Sequence, residues 1–348
     1  TTGIQNVLVG GLAGDALTDA DFNVAVGTGA LSGDTLGSRS VAIGTYALNA
    51  QNFTTATNSF NVAVGHSAGT LISTGVQNTL VGGLVGDALT SGNSNVAMGY
   101  VALSTDTQGS TAVAIGNSAL NSQNFTTATS HYNVAIGSNA GASITTGINN
   151  TFVGGLAGDA LTDADFNVAV GTAALTSDTL GSQSVAVGMN ALTAQNMTTA
   201  TNALNTAVGH AAGASVTTGI QNVLVGGLAG DFLSDADYNV AVGYGALSSD
   251  ALGSQSAAVG YLALGAQNFT TATNTYNVAM GSVAGRNVTT GVGNTFIGSL
   301  AGNQSTGAGV DENTYVGFQA GRYTTSGEKN TFIGRYDGVT GLDLRTSS

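Results

Sequence analysis

The chain has 348 residues with no Cys, Pro or Trp, 53 Gly and a net charge of −13. Without cysteine there is no disulfide framework and no thiolate metal site. An acidic balance of this size repels phosphate backbones and anionic lipid, so neither nucleic acid nor a membrane surface is an expected partner.

At 42% hydrophobic and 7% charged residues the chain holds ample apolar material for a core. Gly and Asn interrupt every apolar run well before the length of a transmembrane helix. Charge is uneven: fourteen acids face one base, Arg39, as far as Gly285, and five bases balance five acids from Arg286 onward.

From the N-terminus a short phrase recurs: "NVLVG" ends at Gly10, "NVAVG" at Gly27 and "SVAIG" at Gly44. After "QNFTTATN" at Gln51 the phrase returns, ending at Gly65, Gly82, Gly99 and so on to Gly334. Intervals of 17, 17, 21 and 17 residues occur four times, so four coils form a 72-residue super-repeat whose long coil carries the loop that begins at Gln51, Gln123, Gln195 and Gln267. The last two intervals, 19 and 17, break that order. "TTG" at Thr1 matches "TTG" at Thr145, Thr217 and Thr289, which reads as a chain entered inside a repeat.

A fixed period near twenty with strand-like patterning predicts stacked coils. The expected fold is an all-β parallel β-solenoid of about 19 coils, each built of two short strands and two turns. Residues 1–298 read as regular repeats, and 299–348 as less regular coils with an exit segment.

The residue before each Gly is Val, Ile or Met, and two residues earlier stands Val or Thr, with Ala257 the exception. These two share one strand face and are assigned to the core as β-branched columns. Asn lies four residues before the Gly in fifteen of nineteen coils, spaced for a hydrogen-bonded ladder. Between the two assigned core positions stands Ala, or Leu8, Leu80, Phe152, Leu224, Phe296, Tyr315 or Phe332. That face is apolar too, and a strand apolar on both faces is buried on both. The second face is therefore expected to pack against identical chains in a closed homo-oligomer.

"SVAIG" at Ser40 and "AVAIG" at Ala112 resemble the head repeats of trimeric autotransporter adhesins, and "NTFIGSLAG" at Asn294 and "NTYVGFQAG" at Asn313 resemble repeats of bacteriophage tail fibres. The ending from Asn330 is similar to the segment that precedes an endosialidase-type intramolecular chaperone. The resemblance implies a homotrimer of left-handed β-rolls, extracellular, serving as the shaft or receptor-binding segment of a phage tail fibre that meets a host-surface receptor or glycan. These residues carry no stalk heptads or neck motif, which leaves a bacterial trimeric surface adhesin head as the alternative.

Other motifs have plain readings. "GGLAGD" at Gly10 has no nearby Lys or Arg, so it is repeat punctuation rather than a phosphate loop. "GDALTDADFN" at Gly14 and Gly158, and "GDFLSDADYN" at Gly230, present three carboxylates within seven residues, a density that invites Ca²⁺. "GDALTSGNSN" at Gly86 loses two of them, and a solvated acidic loop is expected instead. His66, His131 and His210 read as surface or turn residues. Phe53, Phe125 and Phe269, with Phe60, Tyr132 and Tyr276, read as packing the base of the long loop; Met197 and Leu204 take these places once. "NFT" or "NMT" at Asn52, Asn124, Asn196 and Asn268 are formal glycosylation sequons. No constellation breaks the repeat to make an active site, so the chain is expected not to be an enzyme, with no catalytic, cofactor-binding or metal-ligating residues and no cofactor.

Overall fold

The computed structural model of the chain describes residues 2–306, 309–335 and 337. Much of the chaperone-like ending lies outside these. Among the described residues every strand is two or three residues long, every pairing is parallel and there is no helix. No helix is therefore long and apolar enough to cross a membrane.

The chain forms two compact units, residues 1–172 and 173–348. The first holds ten three-residue strands, from Val7–Val9 to Val168–Val170, and the second holds nine, from Val185–Val187 to Thr331–Ile333. Within each unit a strand pairs in register with the same position one coil later, as Val24, Ala25 and Val26 pair with Val41, Ala42 and Ile43. The fold is a parallel β-solenoid of about nineteen turns, with roughly 4.8 Å between stacked turns.

The two-strand coil is corrected. Each turn has one three-residue strand, and a second strand of only two residues occurs beside the long coils. Gly37–Ser38 pairs with Thr57–Asn58 in this way, and Gly109–Ser110 with Thr129–Ser130. Elsewhere the remaining residues form turns closed by local bonds: Ala30 N donates to Gly27 O at 3.3 Å, and Ile72 N to Gly69 O at 3.0 Å. At Gly65 the backbone reaches a φ of 140°, and an added Cβ would collide with the carbonyl of Gly82 in the next turn. Only glycine satisfies both demands at the end of the strand.

The assignment of strand faces is also corrected. The central strand residue points inward: Ala25, Ala42, Leu80 and Phe152 are fully buried, whereas the Val and Ile residues on either side are half-buried or exposed. Period-two alternation held, but the interior of a 17-residue turn is narrow and takes the smaller column.

Its filling is set by size exchange. Where the central residue is Ala25 or Ala42, the turn also carries Leu31 or Leu48, both fully buried. Where it is Leu80, the turn carries Gly86, and Gly69 stands in the preceding turn. A Cβ on Gly69 would lie 2.8 Å from Leu80 Cδ1, and one on Gly86 3.0 Å from Leu80 Cδ2. Gly141 and Gly158 flank Phe152 in the same manner, and Gly213 and Gly230 flank Leu224. One large residue thus occupies space vacated by two glycines, which keeps the interior near close-packed density. Burying each such Leu or Phe contributes on the order of 2 kcal/mol.

Candidate interaction face

The outward face of the ladder is built by the first and third residues of each strand. Val and Thr, with Ala257 once, fill the first column, and Val, Ile and Met the third; most are β-branched and suited to extended backbone. Several are exposed on the isolated chain, among them Ile43, Met98, Ile136, Val240 and Met280. No strand residue on this face is charged. Aliphatic residues thus recur at the same place turn after turn, unlike singly scattered apolar residues.

Larger side chains stand at the positions bordering the strand. After the glycine come His66, Tyr100, His210, Tyr244, Tyr261 and Phe318, all exposed. The Tyr244 and Tyr261 rings stack with centroids 6.0 Å apart, and Arg335 lies 5.7 Å from the Phe318 centroid. Before the ladder asparagine, Phe60, Tyr132 and Tyr276 are also exposed. This corrects the sequence expectation for them: only the other member of each pair, Phe53, Phe125 or Phe269, is buried under the long loop, with Met197 equivalent.

The second and third carboxylates of each acidic loop bond to the chain itself, whereas Asp231 Oδ1, in the third loop, is buried without a hydrogen-bond partner. Asp21, Asp165 and Asp237 accept the backbone N–H of Ile4, Ile148 and Ile220 at 2.7–2.8 Å. Asp163 and Asp235 accept the hydroxyls of Thr146 and Thr218. In the super-repeat that lacks these acids, Asn93 accepts Val76 N–H at 2.8 Å, so an amide serves equally. Among the described residues no group of three His, Asp or Glu could hold a metal ion. At the first sequon, Asn52 accepts the Thr35 hydroxyl and donates its backbone N–H to Ser73 O.

A buried polar cluster accompanies every long coil, and the sequence reading missed it. Asp34 is fully buried; its Oδ1 accepts Gly37 N and Phe53 N, and its Oδ2 accepts the Gln51 amide. Gln51 also donates to Ser40 Oγ and accepts from Asn61 Nδ2 at 2.9 Å. Ser40 stands where the ladder asparagine is missing, so the glutamine supplies the amide that the strand lacks. Asp106–Gln123, Asp178–Gln195 and Asp250–Gln267 repeat the pair. The signal was present: Asp34 and Gln51 fall seven residues after the turn glycine, where the other coils carry Leu17, Ile72 and Leu89.

The second cluster differs. Ala112 replaces the serine, and His131 fills the space, stacked on Phe125 at 5.0 Å with its Nε2 2.9 Å from Gln123 Nε2 and 3.8 Å from Asp106 Oδ2. Burial lowers its pKa to about 4 and raises that of Asp106. His131 is therefore an interior residue, a correction to its surface reading, whereas His66 and His210 are exposed.

The cluster residues are buried and hold turns together, whereas the strip residues lie half-buried or exposed at the surface. No protein-family model matches the chain, and no curated protein sequence is significantly similar to it.

Proposed function

We propose that the chain is a segment of a structural fibre: three copies of a left-handed β-roll, associated through their outward strips, forming a shaft or receptor-binding segment of a phage tail fibre or similar extracellular appendage. The observation that carries this reading is the uncharged strip of exposed aliphatic residues, typified by Ile43, Met98 and Ile136. Burial of a repeated strip along several turns favours a closed symmetric assembly of identical chains. The ladder supports a mechanical role, because its energy is spread over equivalent turns. The resemblance of the repeat phrases to tail-fibre and adhesin repeats supplies the setting and the three-fold symmetry.

Light scattering across a wide range of concentrations tests the reading. Three chains, unchanged on dilution, are expected. A monomer at every concentration would sink it, since the strip would then be open to solvent.

A further inference from the structure

We propose that the outward column of residues preceding the ladder asparagines binds an extended, uncharged β-linked polysaccharide; this deepens the fibre reading by naming the chemistry of a surface receptor. In the first unit Phe22, Arg39 and Phe60 occupy consecutive turns of this column. The Arg39 guanidinium lies 4.9 Å from the Phe22 centroid and 5.9 Å from that of Phe60. In the second unit Tyr238, Gln255 and Tyr276 repeat the order of ring, planar polar group and ring. The four rings are exposed, from 44% for Phe22 to 59% for Tyr276.

The column shares one backbone conformation. These six residues have φ between 50° and 66°, a left-handed conformation that is an outlier for bulky side chains. Glycine adopts it freely, and Gly293 does so at the equivalent place with φ 69°. Leu31 and Leu48 hold the same region and are fully buried, whereas Leu12, Tyr46 and Leu156 hold it and are exposed. Gln5, Gln77, Ser94 and Leu204 hold it at the same repeat position, so this conformation belongs to the turn and not to the rings alone.

Periodicity carries the proposal. The neighbouring aliphatic columns present similar residues at every turn, whereas this column places rings in pairs two turns or roughly 9.6 Å apart, Phe22 with Phe60, Tyr132 with Phe166 and Tyr238 with Tyr276, with Ser94 and Leu204 interrupting the series. In an extended β-linked glycan alternate sugars are turned over, so one face recurs at every second sugar. Rings at every second turn would stack on that face, and the guanidinium or amide between them would reach the hydroxyls. Charge fits an uncharged ligand: in a chain of net charge −13, no Asp or Glu holds this repeat position before Glu312.

The test is isothermal titration calorimetry of the purified chain with cellohexaose and hexa-N-acetylchitohexaose, with maltohexaose as the α-linked control, alongside light scattering of each sample. A β-linked hexasaccharide is expected to bind and maltohexaose not. The double variant Tyr238→Ala/Tyr276→Ala should weaken binding at least tenfold while keeping its oligomeric mass. Tyr244→Ala/Tyr261→Ala, a stacked pair outside the column, should bind as the parent does. Absence of binding to both β-linked sugars, equal binding of maltohexaose, or undiminished binding by the first variant overturns the proposal. So does loss of the oligomer in that variant, which would assign the column to contact between chains. A trimeric parent that binds no sugar removes this proposal and leaves the fibre reading standing; a monomer that binds does the reverse.

Discussion

Asn61 Oδ1 accepts the backbone N–H of Asn78 at 2.9 Å, and the same bond is made again from Asn78 to Asn95 at 3.0 Å. Each asparagine also donates its amide to a carbonyl fourteen residues ahead, Asn78 to Gly92 O at 2.9 Å. All three asparagines are fully buried, so both bonds satisfy backbone groups that water cannot reach. Asn78→Leu should leave Asn95 N–H and Gly92 O unpaired and cost about 2–6 kcal/mol, at about 1–3 kcal/mol for each group. Urea denaturation of the variant checks this; a loss below about 1 kcal/mol would mean that the ladder contributes little.

The exchange of large and small interior residues predicts a rescue. Phe152→Ala removes a fully buried ring and should cost about 3–5 kcal/mol. Gly158→Leu alone places a side chain against the Phe152 ring and is expected to be at least as damaging. Together they recreate the pairing of Ala25 with Leu31, whose φ of 52° is close to the 59° of Gly158. The double variant should therefore be more stable than either single variant. Additive losses in thermal denaturation would show that the two sites do not share space.

Several features could be read before any coordinates. Coil length, super-repeat and asparagine ladder follow from spacing alone, because a 17-residue interval admits few closed paths. The strand faces were legible in principle. Asn61 and Ala63 have the same parity, so a ladder that must be dry puts Ala63 inside and Val62 outside. Assigning the larger aliphatic residues to the core overrode that constraint. The exchange of Leu31 and Leu48 for Gly69 and Gly86 carries the same message, since only residues sharing a space trade volume. The Asp34–Gln51 pair was hidden for a different reason: two polar residues 17 apart look like loop residues until the missing asparagine at Ser40 is noticed.

His131 makes stability depend on pH. Burial keeps its imidazole neutral with a pKa of about 4, while the unfolded chain takes up the proton near pH 6.5. Its contribution is constant above pH 6.5 and declines as the pH falls toward 4, to a total of about 3 kcal/mol at 1.36 kcal/mol for each pH unit. Asp106 acts in the opposite sense: its raised pKa lets the folded chain bind a proton first and recovers part of the loss at the acid end. Ala112→Ser/His131→Ser copies the hydroxyl pair of Ser40 and Ser59. This variant should lose less stability than the parent between pH 6.5 and 4.5. Identical pH profiles in thermal denaturation would remove His131 as the cause.

The outward strip can be challenged without touching the interior. Ile43 and Ile136 are more than a third exposed on the isolated chain, and neither fills the space between turns. Ile43→Lys/Ile136→Lys should leave the folded turn intact, because a lysine stem lies along an apolar surface with its ammonium in water. Single exposed substitutions of this kind cost within about 0.5 kcal/mol of the parent. If the strip is the contact between chains, the same two lysines place like charges in a desolvated interface on every copy, and association should fail. Light scattering of the variant is then expected to report a monomer with the parent's circular dichroism. A trimer of unchanged mass would place the contact elsewhere on the chain, and a variant that is both monomeric and unfolded would mean that turns and assembly form in one step.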